Sequence, residues 1–230
     1  MLNIQNLTKR YGSKTAVDNL SLHIEAGEIC AFIGHNGAGK TTTLKACCGL
    51  LTPDGGAITV DGMSIRERPI DCKRVMAYIP DNPDMYEFLT GYEYLNFVAD
   101  VYGVSKADRE RRIAELGELL GITEALGGAI SECSHGMKQK IAIISALIHK
   151  PKLILMDEPT VAVDPQSRNR ILEGILELNR KGSTIIYTSH YMEEVEQICT
   201  RIVIMDHGRC IASGTTEELK RMIRTAETIH

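Results

Sequence analysis

The chain has 230 residues, with 26 Lys and Arg against 30 Asp and Glu and a formal net charge of −4. That balance argues against a partner held mainly by bulk charge, such as duplex nucleic acid or an anionic membrane surface, and leaves room only for a local basic site. Hydrophobic residues make up 43% and charged residues 24%, enough for a sizeable core and unlike a disordered chain.

Residues 2–7 and 17–24 alternate apolar and polar, as in Leu20, Leu22 and Ile24, and predict half-buried strands. Ile29 to Ile33 is a short continuous apolar run, suited to a strand buried on both faces. Gly-rich residues 34–39 follow, then a helix from about Lys40. Pro53-Asp54-Gly55-Gly56 predicts a turn, and Ile58 to Val60 an edge strand. From about Pro83 to Lys150 the pattern is mostly helical, with a capping box at Ser105-Lys106-Ala107-Asp108 and Ile113, Leu116 and Leu120 at helical spacing. Leu153 to Met156 predicts a buried strand, and Asp164-Pro165 caps and opens a helix carrying Ile171, Ile175 and Leu178 on one face. Thr184 to Thr188 predicts a strand, 190–198 a helix and Arg201 to Met205 a strand; the last fifteen residues read as a surface helix with a frayed end. Strands alternating with helices imply an α/β core with a mainly parallel sheet, interrupted by an inserted helical subdomain at about 83–150.

No apolar run approaches the ~18–20 residues that cross a bilayer, so the chain is not expected to form a channel or carrier by itself. The stretch MLNIQNLTKRYG predicts no signal peptide. Seven cysteines, at 30, 47, 48, 72, 133, 199 and 210, include no C-x-x-C pair. They predict a reduced, cytosolic setting and small core residues rather than a metal site.

Gly34-His35-Asn36-Gly37-Ala38-Gly39-Lys40-Thr41 matches G-x-x-x-x-G-K-[ST] in full, between a predicted strand and a predicted helix. Glycines let backbone N–H groups turn around a phosphate chain, and the helix adds its positive N-terminal end. Lys40 then reaches the β- and γ-phosphates of a nucleoside triphosphate, and Thr41 supplies a Mg²⁺ ligand. Leu153-Ile154-Leu155-Met156-Asp157-Glu158 is an apolar strand ending in two carboxylates, expensive to bury without a cation nearby. Asp157 can hold Mg²⁺ and Glu158 can polarise an attacking water as general base. His190 follows another predicted buried strand; it either reaches the γ-phosphate or the water, or is a surface His at a helix start.

Together these motifs resemble the ATP-binding subunit of a bacterial ABC transporter, exporter-like, over nearly the whole chain. The resemblance implies a P-loop NTPase core with an antiparallel β subdomain, all within a single ATP-binding domain spanning residues 1–230. It implies ATP contacts at Tyr11, where the family places an aromatic that stacks on adenine, and along Gly34, His35, Asn36, Gly37, Ala38, Gly39, Lys40, Thr41 and Thr42. Asp157-Glu158-Pro159-Thr160 resembles the family's second nucleotide motif, Asp164 its dimer-contact Asp, and Ser189-His190 its switch His. The family's signature loop, usually Leu-Ser-Gly-Gly-Gln, is matched by Cys133-Ser134-His135-Gly136-Met137. Ser134 and Gly136 are kept, and the first, third and fifth positions differ. Ser134, His135 and Gly136 would then meet the ATP of the opposite protomer. Asp81, in Tyr78-Ile79-Pro80-Asp81, takes the place of a Gln that links Mg²⁺ to the permease, as a third metal candidate beside Thr41 and Asp157. Val161-Ala162-Val163 stands where Ser-Gly-Leu is usual.

The implied cofactors are ATP and Mg²⁺. The implied partners are a separate transmembrane permease and, with ATP bound, a second copy of the chain or a related ATPase, with no nucleic acid expected. The implied location is peripheral, on the cytoplasmic face of the cell membrane. GMKQK and IMDHGR, with single-copy architecture and a short C-terminus, look most like subunits serving exporters of drugs, peptides or polysaccharides. The alternative is a soluble ABC-type ATP switch on nucleic acid or ribosomes, against which the acidic charge and the single ATPase unit both speak. A regulator without turnover is disfavoured by Lys40, Asp157, Glu158 and His190 together. Six of the eleven aromatic residues (Tyr86, Phe88, Tyr92, Tyr94, Phe97 and Tyr102) lie between 86 and 102. They either receive a permease helix or fill the core of the helical subdomain.

Overall fold

The computed structural model describes residues 1–161 and 163–227, with side chains as far as Met222. Ala162 and residues 228–230, which the sequence reading also covers, lie outside the described residues. Strands β1 (Leu2–Tyr11) and β2 (Lys14–Ile24) form an antiparallel pair, and β3 (Ile29–Ile33) leads through the Gly-rich loop into helix α1 (Lys40–Cys47). Strands β4 (Gly55–Val60) and β5 (Met63–Ser64) complete a four-stranded antiparallel sheet of order β2-β1-β4-β5. Helix α2 (Pro69–Val75) precedes β6 (Met76–Ile79). Three α-helices then run between β6 and β7 (Leu153–Asp157): α3 (Gly91–Val101), α4 (Lys106–Leu120) and α5 (His135–Leu147), with two short 3-10 turns between α4 and α5. Helix α6 (Pro165–Arg180), β8 (Thr184–Thr188), α7 (Met192–Ile198), β9 (Arg201–Asp206), β10 (Arg209–Gly214) and α8 (Thr216–Glu227) follow. The second sheet has the order β10-β9-β3-β8-β7-β6, parallel from β9 to β6 and antiparallel only at β10.

The parallel strands read as continuous apolar runs because both faces are covered. Cys30, Phe32, Leu153, Leu155 and Ile186 point into a core shared with the antiparallel sheet and α1. Their neighbours Ile29, Ala31, Ile154, Met156, Ile185 and Tyr187 point the other way, into a core shared with α3 to α6. The period of two along each strand thus sorts one run of residues between two layers. Cys30, Cys47, Cys48 and Cys72 are buried in the first core, and all seven cysteines are free thiols. Burial pushes the thiols of Cys30 and Cys47 up to about 12, which leaves them inert as nucleophiles.

Several local expectations change. Gly55 and Gly56 open β4 rather than form a turn. Gly56 adopts φ +88° where the β1 ladder shifts register, and a Cβ there would stand 2.5 Å from the Asn6 carbonyl. β4 is flanked by the two-residue β5 and so is not the sheet edge. At Ser105 only half of the capping box forms. Ser105 Oγ accepts from the Asp108 N–H at 3.2 Å, but the shorter Asp carboxylate meets the Ser105 hydroxyl instead of its N–H. A complete box forms at Thr90 and Glu93, whose longer side chain reaches back to the Thr90 N–H at 2.8 Å, and the same reciprocal pair of bonds joins Thr215 and Glu218. β10 has no counterpart among the predicted strands; it returns along β9 through a tight turn at His207 and Gly208, both at positive φ.

The parallel ladders align the carboxyl ends of three strands. Thr188 of β8 pairs with Phe32 of β3 on one side and with Asp157 of β7 on the other. The Gly-rich loop, Asp157-Glu158 and Ser189-His190 therefore emerge at one sheet edge, where open α/β sheets place their ligands.

Candidate nucleotide site

The Gly-rich loop is shaped by close backbone approaches. Gly39, the residue that caps α1, has φ +102°, and a Cβ on it would lie 2.5 Å from the Ala16 carbonyl. No side chain caps this helix end, so its N–H groups are available to an anion. Lys40 is nearly buried, and its ammonium donates to Gly34 O at 2.8 Å and His35 O at 3.3 Å. Burial pushes its pKa down, and the carboxylates of Glu158 and Asp157 push it partly back. Tyr11, Asn36, Gly37, Gly39, Lys40, Thr41 and Thr42 line one open cavity of about 210 Å³ together with Glu158. Gly34, His35 and Ala38 shape the loop without lining it. Ala38 is buried, and His35 turns outward to Asp206, with Nε2 2.6 Å from Oδ1.

Asp157 is buried and takes hydrogen bonds on both oxygens, from Thr188 Oγ1 at 2.8 Å and from the Tyr78 hydroxyl at 3.3 Å. Burial, then the charge of Asp157, raises the Tyr78 phenol well above its usual range, so it keeps the proton it donates. Glu158 follows at a left-handed φ of +47°, and its N–H donates to the same Thr188 Oγ1 at 2.8 Å. Its Oε1 lies 2.5 Å from Nε2 of His190, so His190 meets the general-base candidate from behind; Glu158 lines the cavity and His190 does not.

The signature residues stand elsewhere. Ser134 caps α5, with its Oγ accepting from the Met137 N–H at 3.2 Å; His135 and Gly136 form the first turn. None of the three lines the phosphate cavity. A Cβ on Gly136 would stand 3.6 Å from Val163 and 3.9 Å from Asp164 Oδ2, so Gly136 and Asp164 are brought together. Asp164 caps α6 by accepting from the Ser167 N–H at 2.9 Å, a bond that holds its carboxyl below the usual range. Asp81 is exposed in the loop after β6 and does not line the cavity.

Residues 17–161 match the family profile described as "ABC transporter". The chain belongs to that family. It is similar to the linearmycin resistance ATP-binding protein LnrL of Bacillus subtilis, at 46% identity over 95% of this chain and 70% of that protein. It is also similar to the Nod factor export ATP-binding protein I of Cupriavidus pinatubonensis, at 35% identity over 95% of this chain and 67% of that protein. A solved ATP-binding subunit of an ABC transporter superposes with a TM-score of 0.91 at 35% identity, covering 97% of this chain and 93% of that one. The chain is thus an ABC transporter ATP-binding domain, and as an ATPase it powers transport.

In this ABC domain several residues around the site carry no motif that the sequence reveals. Tyr78 and Thr188 hold the acidic strand end from β6 and β8, while Tyr187 meets Thr160, two residues beyond Glu158. Glu194, on α7, is buried among them. Lys14 lines the phosphate cavity from β2, and Asp206 reaches His35 from the end of β9. The only available signal was the placement of Thr188 and Asp206 at strand ends, and that has meaning only once the strand order is known. The aromatic stretch resolves mostly outward. Tyr86, Phe88, Tyr92, Phe97 and Tyr102 are exposed, and only Tyr94 packs on the core.

Proposed function

We propose that this chain is the Mg²⁺-dependent ATPase of an exporter. On this reading it is bound peripherally to a separate permease at the cytoplasmic face of the membrane, and works as a pair with a second copy or a related ATPase. The observation that carries the reading is the Glu158–His190 contact, with Glu158 on the wall of the phosphate cavity. It supplies a base aimed at the γ-phosphate side of the loop and a group that orients it. Tyr11 stacks on the adenine, and Lys40 with the loop N–H groups holds the phosphates. Glu158 takes a proton from water as the oxygen attacks the γ-phosphorus, and the bond to the β-bridging oxygen breaks to release ADP. The donor set fits Mg²⁺, since an exposed hydroxyl at Thr41 and a buried carboxylate at Asp157 are both hard oxygen ligands. When bound, that ion neutralises charge on the phosphates. Asp81 is its remaining candidate ligand, through water.

Pairing is supported by the separation of Ser134 and Gly136 from the phosphate cavity, because an ATP held there reaches a signature loop only on another chain. Such a dimer is twofold and head-to-tail, with Asp164 beside its seam. Residues of about 83–150 then act as a helical subdomain of this single ATP-binding unit. Its exposed rings, with Tyr86 at 5.9 Å from both Phe88 and Phe97, offer an apolar seat for a permease helix. Export is supported by the resistance and export relatives.

The test is a mild-detergent pull-down of the chain from its native membranes. Recovery of an integral membrane protein in near-equal amount is the expected result. Recovery of soluble partners alone, with ATPase activity intact, would overturn the transporter reading in favour of a cytosolic ATP switch.

A further inference from the structure

Glu194 is a carboxylate almost sealed from solvent, on a short helix that contributes nothing to the phosphate cavity. Its Oε2 is met by three hydroxyls, those of Tyr187, Thr160 at 3.0 Å and Ser189 at 3.1 Å. Thr160 and Tyr187 also meet each other at 3.2 Å. Burial first, then the bond to Glu194, raises the Tyr187 phenol well above its usual range, so it remains a donor. The other oxygen, Oε1, faces Arg168 Nε of α6 at 3.4 Å, a charge contact without hydrogen-bond geometry. The same guanidinium lies 4.6 Å over the ring of Tyr191.

The positions of these partners matter more than their number. Thr160 is two residues beyond Glu158, and Ser189 immediately precedes His190. Ser189 Oγ also accepts from the Tyr191 N–H at 2.9 Å, which shapes the turn that carries His190. One buried carboxylate therefore ties down the loop after Glu158 and the loop before His190, whose side chains meet 2.5 Å apart. Arg168 ties both to the helix that Asp164 caps. A buried carboxylate with this many donors is not interchangeable with an apolar side chain, because removing it strands three hydroxyls and a guanidinium.

We infer that Glu194 is a positioning residue for hydrolysis, holding Glu158 and His190 in register without touching nucleotide itself. The inference rests on the reading of Glu158 and His190 as the hydrolytic pair.

The test measures steady-state ATPase of the full chain for Glu194→Ala and Glu194→Gln, with Glu158→Gln as control. Each variant is normalised to its folded fraction. Glu194→Ala is expected to lose about 10- to 100-fold in kcat, the scale of a misplaced catalytic group, while KM for ATP stays within about twofold. Glu194→Gln keeps one carbonyl oxygen for the hydroxyls and should recover most of the rate. If Glu194→Ala does not fold, Ser189→Ala and Thr160→Val each remove one tie and should each lower kcat with KM kept. Wild-type kcat in a folded Glu194→Ala, or in both single-hydroxyl variants, would overturn the inference. A Glu158→Gln control with wild-type turnover would instead overturn the underlying pair, so the two failures are distinguishable.

Discussion

Thr188 Oγ1 lies 2.8 Å from Asp157 Oδ1, and the same oxygen accepts from the Glu158 N–H at 2.8 Å. One hydroxyl at the end of β8 thus fixes both acids at the end of β7, across a ladder that pairs Asp157 with Thr188. Thr188→Val keeps the shape but strands a buried carboxylate oxygen and an N–H. The expected loss is about 1–3 kcal/mol of stability, read from urea unfolding, together with a lower kcat. Thr188→Ser should restore most of both.

Lys40 is the buried cation of the cavity, with two carboxylates close enough to raise its pKa against burial. Lys40→Ala should weaken ATP binding by about a hundredfold or more, since hydrogen bonds to charged groups contribute about 1.5–3 kcal/mol each. Calorimetric titration with ATP checks this, and unchanged affinity would remove the loop from the site.

Glu158→Gln removes the base and leaves the phosphate contacts in place. Turnover should fall by about 10²–10⁴-fold while ATP still binds. With ATP and Mg²⁺ in excess, light scattering should report a dimer that wild-type protein forms only transiently.

The pH dependence near the loop follows from His35. Its hydrogen bond to the Asn36 carbonyl, then that to Asp206, raises its pKa above 6.5, while bonds from His207 and His35 lower that of Asp206 below 3.8. A raised pKa means that the folded chain binds this proton more tightly than the unfolded one. The stabilisation is complete below about 6.5 and fades as pH rises through the folded value. The Asp206 contribution has the opposite sense and is lost only as pH falls below 3.8 through its depressed value. Melting temperature should therefore decline slightly as pH rises from 6.5, and His35→Ala should flatten that slope.

Phe88 is 81% exposed, with its ring tilted at 46° to that of Tyr86, 5.9 Å away. Phe88→Ser should change folding stability by no more than about 0.5 kcal/mol. If this face seats a permease, co-purification of the membrane partner should fall while basal ATPase activity is retained.

The legible parts of the molecule were those whose signal is local. The run Ile29–Ile33, the glycines and Lys40-Thr41 follow one another without a break, and the strand, loop and helix they specify form as expected. The apolar strand ending in Asp157-Glu158 and the Asp164-Pro165 helix start were equally local. β10 was missed because Arg209–Gly214 has neither a long apolar run nor clean alternation, and only its pairing with β9 makes it a strand. The aromatic stretch could have been core or surface, because helical spacing tells which residues share a face but not what covers it.

Sequence alone determined the phosphate loop, the two acids and the α/β class, since each depends on neighbouring residues and on glycine's freedom of backbone. Tertiary structure decided which residues hold them. Asp206 meets His35 across 171 positions of chain, and Thr188 meets Asp157 across 31. Those contacts depend on strand order, and every buried parallel strand looks apolar whatever its neighbours are. Order is set by how the helices and both sheets bury their faces together, a property of the packed whole that no local stretch of sequence carries.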